Sequence, residues 1–539
     1  MNKKIFAALA SATMALSATG SMAVFAQDFE DEAQVLPSQP GEKTEVVWNE
    51  ANFGDLVKLT ASEITSGSLT LTKGETYTVK QLEEVTDITV SSSTNVLKTI
   101  KGLEYLTKLE TFDNSASTAT LTNSTVDFST NSELTSVNLN GASSYKYSGT
   151  DTVMPNVTEV LLPVSPEDSI GKLTNLTLTN TAIKSIDLAD QEALKDVTIE
   201  NGSLNTLNVA GNTKLTDLTV TGTSLSSLQL PSAKNNSITT LTLNNNNLSE
   251  INLNGQKALL ESLDLRNNAL NTLNIKNFAE LSTLKIANNH IGALDTNGCD
   301  ALVDSADVVL GPQLFYVAAD AGSVNLAKEI PGLKTNLVTD IFVTDSFDED
   351  TGELTLDSNG NSYVYDVVNP GTISTGTEMT VEIAKANPMH RLYNPNSGEH
   401  FYTKDLNEND TLVELGWKSE GIGWVAPIDN IAGNRPVYRL YNPNAGDHHY
   451  TMNENEKNVL TSIGWKYEGI GWYSYDNNAN TSIKSTVDTI VPDEAVVLRE
   501  YNPNAKAAGA HNYTLNQAEN DFLVSVGWLD EGTAWNAIK

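Results

Sequence analysis
The sequence predicts a mainly β protein in three parts: a solenoid of stacked turns, a small β-sandwich, and a pseudo-threefold β-rich repeat domain. Three observations predict it. An apolar pattern restarts every 21–23 residues between Leu173 and Leu281, and a turn that short cannot bury its own apolar face, so neighbours must stack. Short alternating stretches, parted by turn residues, fill 301–387. One aromatic-rich unit occurs three times in 388–539. With 539 residues the chain exceeds one compact domain. Hydrophobic residues at 39% and charged ones at 19% suit a folded chain, neither a disordered polyelectrolyte nor a membrane bundle. Asp+Glu 68 against Lys+Arg 33 leaves −35, which repels nucleic acid and anionic membranes and excludes both as main partners. The single cysteine, Cys299, excludes an internal disulfide and a cysteine-based metal site.

Residues 1–26 have the pattern of a secretory signal peptide: Lys3 and Lys4, an apolar stretch from Ile5 to Leu16, and Val24-Phe25-Ala26 before a cut at Gln27. Ser11, Thr13, Ser17 and Thr19 interrupt the apolar run, which falls short of the ~20 residues of a membrane span. Cleavage would take the charge from −35 to −37. No wall-sorting pattern stands at Trp535 to Lys539, so the expected product is secreted, or held on the cell surface without a covalent anchor or membrane insertion. Residues 27–85 are expected to form a flexible lead-in and an N-terminal cap.

The solenoid is expected over 86–300. Leu173, Leu176 and Leu178 open a turn of the form L-x-x-L-x-L, which restarts at Leu194, Leu215, Ile238, Leu260 and Leu281. Ten positions after each start stand Ile183, Leu204, Leu225, Leu248, Leu270 and Ile291. Leu134, Val137 and Leu139, and Ile100 to Phe112, are looser earlier copies. These registered copies resemble the leucine-rich repeat family, and more narrowly the secreted internalin-type bacterial repeats. The resemblance implies a ladder of asparagines bonding backbone inside the coil, at Asn246, Asn268 and Asn289, with Thr181, Gly202 and Thr223 departing from it in the earlier turns. Cys299, in a last-turn position, is expected to be a buried small hydrophobe. Residues between the apolar strand positions point outward, among them Asn175, Thr177, Asp196, Thr198, Asp217, Thr219, Thr240, Asp264, Arg266, Lys285 and Ala287. They include no Trp or Tyr and only one Arg, the residue types that dominate protein hot spots. The face is therefore either a polar adhesive surface or a solvated spacer.

Between 301 and 387 the stretches Val338 to Val343, Leu354 to Leu356, Tyr363 to Val367 and Met379 to Ile383 predict a small antiparallel sandwich. Immunoglobulin-like modules often follow bacterial leucine-rich arrays, and the resemblance implies one here. The run Asp345 to Gly352 lacks the spacing and distal Glu of a calcium loop and predicts an acidic hairpin turn.

The last third repeats R-L-Y-N-P-N, H-x-Y-T, G-W and E-G-x-x-W. The first copy holds Arg391, Tyr393, Asn394, His400, Tyr402, Trp417, Glu420 and Trp424. The second holds Arg439, Tyr441, Asn442, His448, Tyr450, Trp465, Glu468 and Trp472. The third holds Arg499, Tyr501, Asn502, His511, Tyr513, Trp528, Glu531 and Trp535, and departs at Glu500, Thr533 and Ala534. Each unit predicts a strand stopped at Asn-Pro, a second strand, a helix ending at a glycine, and a returning strand. Three such units suggest a trefoil-like or propeller-like closure. Aromatic rings beside Asn, His and Glu are a standard means of gripping sugars, the ring stacking on a pyranose and the polar groups bonding its hydroxyls. The candidate ligand-binding set is therefore Tyr393, Asn394, His400, Tyr402, Trp417, Glu420, Trp424, Tyr441, Asn442, His448, Tyr450, Trp465, Glu468 and Trp472. The competing reading makes the repeated residues core and turn-formers, and the Arg–Glu pair a salt bridge. The units resemble a repeat family of exported Gram-positive proteins found beside wall hydrolases, which implies an accessory attachment module.

No H-E-x-x-H, phosphate-cradling loop or G-x-S-x-G elbow occurs. His448 and His449 would face opposite sides of a strand and could not chelate together. The expectation is a non-catalytic binding protein without cofactor or metal. Its partner is a cell-wall or host glycan held by the C-terminal repeats, or alternatively a host or bacterial surface protein held by the solenoid.

Overall fold
The computed structural model describes residues 45–91, 97–142, 155–163, 171–302, 307–318, 321–341, 346–356, 361–367, 378–428, 434–475, 494–505 and 508–538. The signal-peptide segment and residues 27–44 of the lead-in lie outside these residues. The protein is mainly β: a solenoid of stacked apolar turns, a β-sandwich and a threefold β-rich domain.

The solenoid's inner sheet runs in parallel from Asp87–Thr89 through Thr111–Asp113, Ser136–Asn140, Asn175–Thr179, Asp196–Glu200, Asp217–Thr221, Thr240–Thr242, Ser262–Asp264 and Thr283–Lys285 to Val308–Val309. Each rung is one strand in exact register with the next. Leu176 lies beside Val197, then Leu218, Leu241, Leu263 and Leu284, and all six are buried. Alternate residues face out, as the strand period requires, with Asp264 and Ala287 covered despite their outward positions. The parallel run continues past residue 300 to Val308–Val309, because a two-residue strand leaves no repeat signature. Before it, Trp48 packs on Phe53 (4.3 Å between rings) and Phe53 on Tyr105 (5.8 Å), closing the first turn.

Stacked turns leave backbone carbonyls inside the coil, and amide side chains satisfy them. Asn246 Nδ2 donates to Val220 O (2.7 Å) and Leu243 O (2.9 Å). Asn268 donates to Leu243 O and Leu265 O, and Asn289 to Leu265 O and Ile286 O. Thr223 joins the ladder by donating its hydroxyl to Asn246 Oδ1 (2.6 Å). Gln313, first residue of the strand Gln313–Ala318, ends it by donating to Ile286 O (2.8 Å). A second column follows the next corner of the turn: Asn131, Gln191, Asn212 and Gln256 donate to carbonyls of the preceding turn. Cys299 stands in that column, its thiol donating to Ile275 O (3.0 Å), and burial holds its pKa above the ordinary value.

In the sandwich, Val338–Thr339, Asn361–Asp366 and the start of Glu378–Tyr393 form one sheet, and Ser323–Asn325, Glu353–Thr355 and Phe347–Asp348 the other. Gln313–Ala318 joins the first sheet in parallel, a departure from the all-antiparallel expectation. The Asp348 carboxylate accepts from Asp350 N and Thr351 N, which makes the acidic run a hairpin turn. Glu378–Tyr393 is one strand of 16 residues. It pairs within the sandwich up to Ala386 and within the repeat domain from Asn387, so the domain border falls inside a strand.

In the repeat domain each R-L-Y strand pairs antiparallel with both its H-x-Y-T strand and its returning strand. Three helices intervene: α1 (Leu406–Glu414), α2 (Glu454–Ser462) and α3 (Gln517–Ser525). Their last turns are followed by Gly416, Gly464 and Gly527 at φ 95°, 107° and 99°, a left-handed stop that a side chain rarely adopts. Trp424, Trp472 and Trp535 form a triangle with ring separations of 5.8, 5.8 and 5.5 Å. Tyr402, Tyr450 and Tyr513 form a second, at 5.7, 5.6 and 5.7 Å. The tyrosines also close a ring of hydrogen bonds. Tyr402 Oη donates to Tyr513 O (3.0 Å), Tyr513 Oη donates to Tyr450 O (2.7 Å), and Tyr450 Oη accepts from Tyr402 N (3.2 Å). Closure is thus made by side chains about a pseudo-threefold axis, with strand pairing between units, among the described residues, confined to Val425–Ile538 and Tyr475–Asn536.

Candidate binding site at the unit boundaries
The structure divides the fourteen sequence candidates into three groups. Tyr402, Tyr450, Trp424 and Trp472 are at most 2% exposed and form the core just described, so their rings have no face left for a ligand. This corrects the gripping role expected of them: residues repeated around a threefold axis fill that axis. Asn394 and Asn442 shape turns, their carboxamide oxygens accepting from Asn396 N and Ser397 N, and from Asn444 N and Ala445 N. Tyr393, His400, Trp417 and Glu420, with Tyr441, His448, Trp465 and Glu468, remain at the surface.

These eight do not assemble copy by copy. Trp417 packs edge-on against Phe401 (6.0 Å), and Phe401 against His448 of the next unit (4.8 Å). Trp465 likewise meets His449 (6.1 Å), and His449 meets His511 (4.4 Å). The first two candidate sites therefore lie at boundaries, where Phe401 and His449 link the Trp of one unit to the His of the following one.

At the centre of each boundary an arginine is held between two carboxylates. Arg391 Nε faces Glu420 Oε2 at 2.8 Å, while its Nη1 and Nη2 donate to Glu519 at 2.9 and 2.6 Å. Arg439 lies between Glu468 (3.2 Å) and Glu408 (3.0 Å), and Arg499 between Glu531 (2.8 Å) and Glu456 (3.2 Å). The first glutamate of each pair belongs to the arginine's own unit and the second to the preceding unit's helix, so three bridges link the units in a cycle. Glu408, Glu456 and Glu519 escaped the sequence reading. Their signal is a helix cap: Asp405, Asn453 and Asn516 accept from the N–H of the glutamate three residues on.

The ring pairs repeat as closely. Tyr393–His400, Tyr441–His448 and Tyr501–His511 are 5.1, 4.9 and 5.2 Å apart. Each His Nε2 approaches its Glu Oε2, at 3.5, 3.5 and 3.7 Å. Burial works against the charge of Glu420, but the His400 hydrogen bond and the Arg391 charge outweigh it and hold the pKa below the usual range. Glu519 is lowered in the same way, burial being overcome by the Arg391 hydrogen bond and charge. Glu456, despite burial, is held down to about 2 by His449, Thr451 and Arg499. His511 is pushed down to about 3 by burial and by the charges of His449 and Arg499.

The boundaries differ in their floors. Phe401, His449 and Asn512 are equivalent, as are Leu392, Leu440 and Glu500. Glu500 is fully buried, accepts from Asn512 Nδ2 (3.1 Å), and leaves Oε1 unpaired. Burial raises its pKa to about 8. Among the described residues no group of three or more His, Cys, Asp or Glu is placed to hold a metal ion, and no helix is long and apolar enough to cross a membrane.

Residues 388–538 match the model of a domain of unknown function, DUF5648. A search of curated proteins finds no match. Solved structures that are similar include the functional domain of InlJ from Listeria monocytogenes, described as including a cysteine ladder. It is 17% identical over 63% of this chain and 98% of that one, with a TM-score of 0.28. InlP from Listeria monocytogenes is 13% identical over 61% and 94%, with a TM-score of 0.30. The LRIM1/APL1C complex is 20% identical over 41% and 42%, with a TM-score of 0.28, so the chain spans less than half of that protein.

Proposed function
We propose that this is a non-catalytic, exported binding protein whose C-terminal domain attaches to cell-wall or host glycan at the three unit boundaries, with the solenoid as its stalk. One observation carries the reading: a surface Tyr–His ring pair stands beside a glutamate at the same spacing in all three copies. A ring face beside a held carboxylate suits a pyranose, which stacks its apolar face and bonds its hydroxyls. Three weak sites on one body would act together through avidity on a repeating polymer.

The alternative, a protein-binding solenoid face, draws less support. Its one arginine, Arg266, is clamped by Asp264 with contacts of 2.9 and 2.6 Å. The test is retention of the full-length protein on purified bacterial walls and on a glycan array. Wild type is expected to be retained. The triple variant Y393A/Y441A/Y501A, which changes no core residue, is expected to lose at least tenfold in apparent affinity. Equal retention of variant and wild type would remove the boundary sites. Binding lost instead with R266E/K285E would move the function to the solenoid.

A further inference from the structure
We infer that the boundary sites select sugars bearing free amino groups, tolerate uncharged ones and refuse anionic ones such as uronic acids or phosphodiester-linked wall polymers. The inference rests on the glycan reading and concerns the charge of the ligand. An anion would need a free guanidinium fork. None of the three keeps a two-nitrogen fork free: Arg391 turns Nη1 and Nη2 to Glu519 and Nε to Glu420, while Arg439 and Arg499 turn Nη1 to both oxygens of the helix glutamate and Nε to the strand glutamate. The strand glutamates, in contrast, keep something in reserve. Glu420, Glu468 and Glu531 engage both their arginine and their histidine through Oε2. The second oxygen can accept a sugar hydroxyl or, with charge assistance, an ammonium. One guanidinium against two carboxylates leaves each boundary negative, and Glu399 adds a further carboxylate beside His448 at 2.6 Å. In the second copy Lys466 lies 4.0 Å from Glu468 Oε1 and competes for it, so that site should discriminate least.

The test is calorimetry on the full-length protein at about 0.15 M salt, where long-range attraction is screened beyond ~8 Å. Its probes are the glucosamine trimer, the N-acetylglucosamine trimer, a hyaluronan tetrasaccharide and trilysine. The glucosamine trimer should bind about fivefold more tightly than its acetylated form, the size of one partly exposed ion pair. Hyaluronan should not bind, and trilysine should bind more weakly than the glucosamine trimer. Raising salt to about 1 M should erase the difference between the trimers, and E420Q/E468Q/E531Q should weaken the glucosamine trimer more than the acetylated one. Equal affinity of the two trimers, hyaluronan binding, or trilysine matching the amino sugar would each overturn the selectivity while leaving a glycan site in place. No binding of any sugar would instead overturn the glycan reading itself.

Discussion

Both the solenoid and the C-terminal domain are made of repeats, yet they finish differently. The solenoid is open: each turn bonds only to its neighbours, and the ladder needs a foreign residue, Gln313, to end it. The C-terminal domain is closed: the third unit returns to the first through Arg391–Glu519 and the Tyr402–Tyr513 bonds, so no terminal unit is left uncapped. In an open array stability is nearly a sum of local terms. In a closed one every unit touches the axis, and one residue there is shared by all. The buried aromatic triangles of the repeat domain also form a core separate from the long apolar core of the solenoid and sandwich.

The sharpest way to break this contrast is at the axis. Trp472→Ala should cost about 3–5 kcal/mol, the usual range for emptying a buried aromatic site. In scanning calorimetry it should abolish the C-terminal transition and leave the solenoid transition in place. Loss of both together would mean that the two regions unfold as one. Asn268→Ala in the ladder should cost about 2 kcal/mol, since two carbonyls and Leu248 N lose a buried partner. Amide hydrogen exchange should show the effect in the adjoining turns and nowhere in residues 388–538.

Glu500→Leu sharpens the comparison in the other direction, by restoring the residue type of the other two copies. Its pKa rises from an ordinary 4.5 to about 8 on folding. A raised value means that the native state keeps a proton that the unfolded chain has released. Stability is therefore fully present below about 4.5 and falls as pH climbs to about 8. The leucine variant should remove that slope and add about 1–2 kcal/mol at neutral pH, because the buried carboxyl and its orphan oxygen disappear. Parallel pH profiles of wild type and variant by thermal melting would refute the assignment.

The regular apolar turns, the inner asparagines and the outward polar rows were all legible in the sequence, because a stacked coil puts identical demands on every turn. The second amide column was not, since Asn131, Gln191, Asn212, Gln256 and Cys299 differ in type while sharing one backbone task. In the C-terminal units the strand, turn and helix order was legible, as was the possibility that Arg and Glu form a salt bridge. The assignment of Trp424, Trp472, Tyr402 and Tyr450 was not. A repeated aromatic reads alike whether it lines a sugar cleft or fills an axis.

By itself the amino-acid order determined the periods: what repeats, at what spacing, and which side chains alternate between apolar and polar. Those depend on local geometry, 3.3 Å per strand residue and one rung per turn. Only the tertiary structure decided which copies share a site. Joining Trp417 to His448 and Arg439 to Glu408 depends on closing three units about an axis. Three copies suggested a closure, but which residues it brings together is a long-range packing outcome with no trace in the spacing along the chain.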